Sequence, residues 1–244
     1  LYPTLMAGAP LYILDDEIRH DLDALHDFFE KNRITCAFLT TQIAWQLFTL
    51  YEFSTLRWLA CGGEKLPPTG ELPFVFANLY GPTECSVIAT YFIPRGATDG
   101  TVIGRPIPGY GVRVLDRHGR RVPRGVPGEL LITGAGVGLG YLNRPELTAE
   151  KFIEADGARA YRTGDLAYIT DEGLIMYDGR MDTQVKVKGN RIELGEIECA
   201  AMCVEGVKGA CAVFDAPNEQ IVLFVESCEA LVLRKFNNEL KQYI

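Results

Sequence analysis

Apolar residues in the first ninety positions come in strand-length runs, each closing on a glycine or a polar turn, with helix-period stretches between them. Ile18, Leu22, Leu25 and Phe29 recur at helical spacing behind the acidic start Asp15-Asp16-Glu17, so one helix is expected from there to about Asn32. Positions 34–39 form a short apolar run and 42–50 read as a helix. Positions 56–60 end at Cys61-Gly62-Gly63, and 74–80 end at Gly81-Pro82. The rhythm is β-α-β. It implies part of a parallel α/β sheet, a fold in which ligands gather beyond the carboxyl ends of the strands.

From about Val102 the pattern changes to short strands and tight turns. Val112-Arg113-Val114-Leu115 enters the polar turn Asp116-Arg117-His118-Gly119-Arg120, and Leu130-Leu131-Ile132 runs into a glycine-rich stretch at 134–140. A compact β subdomain is expected over 102–181, with 174–177 as its last strand and Asp178-Gly179-Arg180-Met181-Asp182 as a polar joint. Beyond the joint, 184–188 alternate with period two. Leu194, Ile197, Ala201 and Val204 keep helical spacing, and 210–214 and 221–225 read as strands. The expected organisation is an α/β part at 1–101, the β part at 102–181 and a smaller α+β part at 182–244, with the boundary at Asp182.

Charge and composition remove several function classes. The 32 acidic residues outnumber the 24 basic ones, giving a net charge of −8, so duplex nucleic acid is repelled by the field of the whole chain. No apolar window approaches the roughly 20 residues of a membrane span. Neither nucleic acid nor membrane is expected as a partner. Seven cysteines, odd in number and irregularly spaced, fit reduced thiols in the cytoplasm better than a disulfide framework or a zinc site. Cys199 and Cys203, four apart on one helix face, are expected to be core residues. The first residue is Leu1 and no leader is visible, so a processed chain or an excerpt of something longer is expected.

Several catalytic patterns are missing. There is no G-x-x-x-x-G-K-[ST] phosphate loop, no H-E-x-x-H and no G-x-S-x-G. The run 134–140 fails as a dinucleotide fingerprint because the third glycine would fall on Leu139 or Tyr141; it reads as a strand-to-turn corner. His20, His26 and His118 are isolated and are not expected to be catalytic.

Three segments carry chemistry. In Asn78-Leu79-Tyr80-Gly81-Pro82-Thr83-Glu84 a strand delivers an aromatic ring, a rigid bend, then a hydroxyl and a carboxylate side by side. The ring suits a purine face, the hydroxyl an α-phosphate oxygen and the carboxylate a Mg²⁺ ion. A strand end with a capping threonine and a solvated glutamate would look the same. In Tyr161-Arg162-Thr163-Gly164-Asp165-Leu166 the carboxylate can accept both hydroxyls of a ribose, or merely stabilise a turn. The third segment, 179–198, alternates lysine and valine as a solvated strand edge does, but it stands at the expected domain boundary.

In this order, the segments resemble the adenylation domains of nonribosomal peptide synthetases, within the superfamily of adenylate-forming enzymes. Tyr80-Gly81-Pro82-Thr83-Glu84 matches the family's Y-G-P-T-E core. Gly128-Glu129-Leu130 with Gly140-Tyr141-Leu142 matches G-E-L…G-Y-L, 161–166 match Y-R-T-G-D-L, and 179–198 match the long hinge motif. Arg191-Ile192-Glu193-Leu194-Gly195-Glu196-Ile197-Glu198 is similar to the version found in amino-acid-activating members. The resemblance implies a flavodoxin-like parallel α/β part, a small β-barrel subdomain and a partial lid. It implies ATP, AMP and Mg²⁺ as cofactors, formation of an aminoacyl-adenylate with release of pyrophosphate, and transfer of the acyl group to the phosphopantetheine thiol of a peptidyl carrier protein.

By the same resemblance Thr83 contacts the α-phosphate, Glu84 holds the metal and Lys186 rides on a strand that swings toward the site. Tyr80 and Tyr177 flank the adenine, Asn78 and Gly81 are further nucleotide-binding residues, Asp165 and Arg180 hold the ribose, and Asp182 is the hinge. Phe38, Ala60, Gly62, Leu79, Val87 and Ile88 would line the acyl pocket. All six are apolar or small, which implies a neutral amino acid of apolar character, since a polar substrate group left unpaired there costs about 1–3 kcal/mol. The family's upstream phosphate loop, the aspartate that anchors the substrate amine and the carboxyl-terminal lysine have no counterpart here; Lys235 and Lys241 do not match that lysine. These residues alone are therefore expected to be nearly inactive and to leave sheet edges uncovered, the activity belonging to a longer parent. Other carrier-protein or aryl-acid ligases, or a non-catalytic binding module, share the same features.

Overall fold

The computed structural model of the chain describes residues 2–96, 100–187, 190–218, 220–228 and 232–243, the side chains of Tyr2, Pro3, Lys186 and Pro217 excepted. After α1 (Tyr2–Met6), the expected single helix is two, α2 (Asp16–His20) and α3 (Leu22–Lys31). Asp21 between them stands at φ −117°, ψ 112°, extended geometry outside the helical region, and its carboxylate accepts the Ala24 N–H at 3.0 Å. The apolar period survives the break because Ile18, Leu22, Leu25 and Phe29 still turn to one core.

Strands β1 (Cys36–Thr40), β2 (Trp58–Gly62) and β3 (Val75–Tyr80) are parallel, with α4 (Thr41–Leu50) crossing from the first to the second. Partners in register share a face. Leu39, Leu59, Cys61 and Phe76 lie on one side beneath Leu25 and Phe29 of α3 and Ala44 and Leu47 of α4. Burying each of these larger side chains contributes about 1.5–3 kcal/mol. The other side carries Phe38, Ala60, Gly62 and Leu79.

The β part follows as β4 (Thr90–Phe92), β5 (Val102–Pro106), β6 (Tyr110–Leu115), β7 (Gly128–Gly134), α5 (Pro145–Lys151), β8 (Phe152–Ala155), β9 (Ala158–Ile169) and β10 (Ile175–Arg180). It is joined to the α/β part in one mixed sheet of order β1-β2-β3-β4-β5-β10-β9-β7-β6, with β8 paired to β9. The join is made by β4 and β5, two strands without a sequence signal, and the cores meet as well: Tyr80 of β3 and Cys85 pack with Leu130, Ile132, Tyr161 and Ile175. Asp178-Gly179-Arg180, expected in the joint, belongs to β10. Gly179, at φ +111°, sits where the pairing with β9 slips, and the irregular segment begins only at Met181.

The last part comprises the hairpin β11 (Gln184–Val187) and β12 (Asn190–Glu193), α6 (Leu194–Met202), the paired strands β13 (Val207–Asp215) and β14 (Gln220–Ser227), and α7 (Leu233–Leu240). Ala201, Val204 and Phe236 form its core. Cys199 and Cys203 are exposed rather than buried, because α6 turns Leu194, Ala200 and Ala201 inward and leaves the thiols on its outer side. Among the described residues no helix is long and apolar enough to cross a membrane, and no group of three or more His, Cys, Asp or Glu side chains is arranged to hold a metal.

Candidate active site

The carboxyl end of β3 delivers the first functional cluster. The Tyr80 ring is 9% exposed, and its hydroxyl donates to Asp165 Oδ2 on β9, so the Y-G-P-T-E edge and the Y-R-T-G-D-L carboxylate meet across 85 positions. Arg180, paired with Asp165 in the sheet, donates from Nη1 to Asp165 Oδ1 at 2.8 Å. Its Nε and Nη2 grip Asp182 at 2.6 and 2.5 Å. Gly164 is needed here. It stands at φ +71°, and a Cβ would lie 2.6 Å from Asp182 Oδ2 and 2.9 Å from Arg180 Nη2.

The charges follow from this packing. Burial, helped by the Asp165 charge, holds the Tyr80 hydroxyl well above its ordinary pKa. The same two causes push Tyr177 up to about 12. Burial works to raise Asp182, but the hydrogen bonds and charge of Arg180 outweigh it and keep the carboxyl below its ordinary value. Burial opposes the charge on Arg180, and the two aspartates more than restore it.

The loop after β3 presents the second cluster. A Cβ on Gly81 would lie 2.6 Å from Val87 O and 2.7 Å from Ala89 N, so only glycine lets 82–89 fold back on the strand end, where Ala89 N donates to Tyr80 O at 2.9 Å. Thr83–Cys85 form a 3-10 turn, held from behind by the glycine corner: Gly138 N donates to Glu84 O at 2.8 Å and Ser86 Oγ to Gly136 O at 2.9 Å. Val87, β-branched, stands at φ +76°, a geometry that costs on the order of 1–3 kcal/mol.

That turn aims the Glu84 carboxylate at partners from three other segments. Tyr141 and Tyr161 donate their hydroxyls to Oε1 at 2.6 and 2.9 Å, and Arg191 Nη1 of β12 donates to Oε2 at 2.8 Å. Burial raises the Glu84 pKa, but the Tyr141 hydrogen bond, the Arg191 charge and the Tyr161 hydroxyl prevail and hold it below its ordinary value. None of these three partners has a role legible in the sequence, although all stand inside matched motifs.

A cavity of about 460 Å³ opens between the β3 end and the last part of the chain, a size in the usual range for a small-molecule site. Asn78, Leu79, Tyr80, Gly81, Tyr177 and Arg180 line it, together with Lys65 and with Gln184 and Val185 of β11. Asn78 is buried, and its Nδ2 donates to Val102 O at 3.0 Å, which ties β3 to the start of β5. Thr83 is exposed. Lys186 is paired with Arg191 in the β11–β12 hairpin, and its side chain lies outside the described ones.

The six expected acyl-pocket residues are not gathered in one place. Leu79 lines the cavity. Phe38, Ala60 and Gly62 share its face of the sheet through the β1–β2–β3 register, with Gly62 so close that a Cβ would lie 2.4 Å from Leu79 O. Phe38, 58% exposed, borders a separate cavity near α3, while Val87 is 63% exposed and Ile88 half-buried in the loop.

The chain is similar to known proteins. A family model described as AMP-binding enzyme matches residues 1–142. Bacitracin synthase 1 of Bacillus licheniformis is 42% identical over 216 residues, which is 87% of this chain and 4% of the synthase. Among solved structures, IdnL1 superimposes with a TM-score of 0.83 at 26% identity over 98% of this chain and 53% of its own. PA1221, an NRPS protein containing adenylation and PCP domains, gives 0.70 at 28% identity over 84% of this chain and 45% of its own. The chain thus spans about half the length of the solved proteins and a small fraction of the synthase. With the family model covering more than half of the sequence, the chain belongs to the AMP-binding enzyme family.

Proposed function

We propose that this chain is the nucleotide-facing portion of an amino-acid-activating synthetase: ATP and an amino acid give an aminoacyl-adenylate and pyrophosphate, and the acyl group passes to a carrier-protein phosphopantetheine thiol. One observation supports the reading most: Tyr80 and Arg180 line a nucleotide-sized cavity and both hold the Asp165 carboxylate behind them, and Glu84 stands in the turn that follows Tyr80. The names of the relatives, a bacitracin synthase and a protein carrying adenylation and PCP domains, support the substrate class and the carrier partner.

In this reading Tyr80 and Tyr177 flank the base, with Asn78 and Gly81 shaping the wall, and Asp165 and Arg180 bind the ribose. Thr83 donates to the α-phosphate. Glu84 fits a divalent cation, because its Oε2 already faces a positive charge and Mg²⁺ is held by one or two carboxylates together with phosphate oxygens. Bound there, Mg²⁺ would offset the charge that develops as pyrophosphate leaves. Asp182 is the hinge between a large unit, 1–101 with 102–181, and a lid at 182–244, and Lys186 is carried by that lid. The face bearing Phe38, Ala60, Gly62 and Leu79, together with Val87 and Ile88 from the loop after β3, would hold a neutral apolar side chain. The reaction belongs in the cytoplasm, where ATP is supplied.

Calorimetry with AMP tests the site on this chain: binding is expected, and Asp165→Asn should weaken it at least tenfold. Pyrophosphate exchange by the parent protein against panels of amino acids and aryl acids tests the reaction. Exchange with aryl acids alone would refute the amino-acid assignment, and no AMP binding would refute the site.

A further inference from the structure

Glu84 Oε1 accepts two hydroxyls, from Tyr141 at 2.6 Å and Tyr161 at 2.9 Å, and these fix the rotation of the carboxylate. Tyr161 is itself buried, and its hydroxyl lies 3.1 Å from that of Tyr141, so the pair forms a rigid platform. With Oε1 engaged, Oε2 is the oxygen that remains for a cation, and in this structure the cation is the guanidinium of Arg191. Arg191 is braced from behind by Gln184 Oε1 at 2.7 Å and reaches the Tyr161 hydroxyl at 3.5 Å. It belongs to the β11–β12 hairpin, whereas Glu84 follows β3, so the ion pair spans the joint at 181–183.

A Mg²⁺ ion sits roughly 2.0–2.1 Å from a ligating oxygen. A guanidinium nitrogen at 2.8 Å from the same oxygen would place two positive centres within a few ångströms in a partly dehydrated site. We infer that Glu84 Oε2 is a single cation seat, aimed by Tyr141 and Tyr161 as positioning residues, which Arg191 and a divalent metal occupy in alternation. Metal entry and this placement of the β11–β12 hairpin therefore exclude one another. The inference rests on the proposed role of Glu84 as the metal carboxylate and adds to it the residue that holds the seat when metal is away.

The test is a titration of the full chain with Mn²⁺ alone, followed by loss of the free-ion EPR signal. Arg191→Ala should tighten Mn²⁺ about fivefold, the order of magnitude of an ion pair with a third of its arginine side chain exposed. Arg191→Gln, which retains hydrogen-bonding groups without the charge, should do the same and serves should the alanine variant not fold. Tyr141→Phe or Tyr161→Phe should weaken Mn²⁺ without abolishing its binding. Amide exchange of 184–193 should rise with saturating MgCl₂ in the parent sequence, and should be raised already and indifferent to Mg²⁺ in Arg191→Ala. Loss of Mn²⁺ binding in Glu84→Gln, with unchanged affinity in both Arg191 variants, overturns the alternation and leaves the metal role of Glu84 intact. Unchanged binding in Glu84→Gln removes that role and the inference with it.

Discussion

Replacing Tyr80 with phenylalanine deletes one oxygen from the place where the two central motifs touch. The ring stays, still packed among Leu130, Ile132 and Ile175, so the cost is that of the hydroxyl alone. It donates to a carboxylate, Asp165, which is 6% exposed, and a buried hydrogen bond to a charged group contributes about 1.5–3 kcal/mol. Arg180 remains on the other carboxylate oxygen, which keeps Asp165 paired and places the expected loss near the middle of that range, about 2 kcal/mol. At about 1.4 kcal/mol per tenfold this is roughly a 30-fold change in the unfolding constant. For a chain of this size it lowers the melting temperature by about 4–8 °C. Urea and thermal unfolding measure it directly. AMP affinity should fall in the same variant, because Asp165 then loses the contact that fixes its Oδ2. A loss under about 0.5 kcal/mol would mean that the hydroxyl bond contributes no more than a solvated one, and the argument that β3 and β9 are locked through it would fail.

Other perturbations read other parts of the site. Gly81→Ala places a methyl against the backbone of Val87 and Ala89, atoms that move only if the loop opens; a loss of about 1–3 kcal/mol is expected, with weakened Mn²⁺ binding as Glu84 shifts, and a crystal structure showing an unmoved loop would refute it. Glu129→Ala, on β7, takes from Arg162 and from the Gly164 N–H the carboxylate they share, and should cost about 2 kcal/mol by urea unfolding; an unchanged midpoint would refute it. Glu84 and Asp182 both have folded pKa values below their ordinary 4.5 and 3.8, so their contribution is present above those values and is lost as pH falls through the depressed folded ones. Acid unfolding below about pH 4.5 should therefore be shallower in the double variant Glu84→Gln, Asp182→Asn than in the parent sequence, and identical profiles would refute it.

What the sequence revealed divides along the range of the interactions. Strands β1 to β3 and the loop at Gly81 were legible because apolar runs and glycine turns are local signals. The break at Asp21 was not, since the apolar period runs unbroken through a residue whose side chain caps the next turn. Strands β4 and β5 were invisible for a different reason: three residues at Thr90–Phe92 and a run ending in Pro106 carry no alternation, and they pair only because β3 and β10 offer them edges. The meeting of Tyr80 with Asp165 came from motif order, not from spacing. The roles of Tyr141, Tyr161 and Arg191 stayed hidden, because nothing in their own neighbourhoods says which carboxylate their hydroxyls and charge will reach. The acyl-pocket row was readable only in part, since the common face of Phe38, Ala60, Gly62 and Leu79 depends on a strand register that no single strand encodes.

The ion pairs of the site also explain why a cation has to accompany an anionic ligand here. Asp165, Asp182 and Glu84 are met by Arg180 and Arg191, three carboxylates against two guanidiniums in direct contact. Arg180 cannot serve a phosphate without abandoning an aspartate, because its Nη1, Nε and Nη2 are all engaged by carboxylates. Arg191 is the more labile of the two, with one carboxylate partner and a third of its side chain exposed. A nucleotide phosphate entering beside these carboxylates is repelled unless a further positive charge arrives with it, and of these three carboxylates Glu84, through Oε2, can receive that charge without breaking the Arg180 cluster. The electrostatics of these ion pairs therefore point the exchange to Glu84 and Arg191, and raising Mg²⁺ at fixed AMP should strengthen AMP binding in the parent sequence but not in Glu84→Gln, a difference that calorimetry resolves.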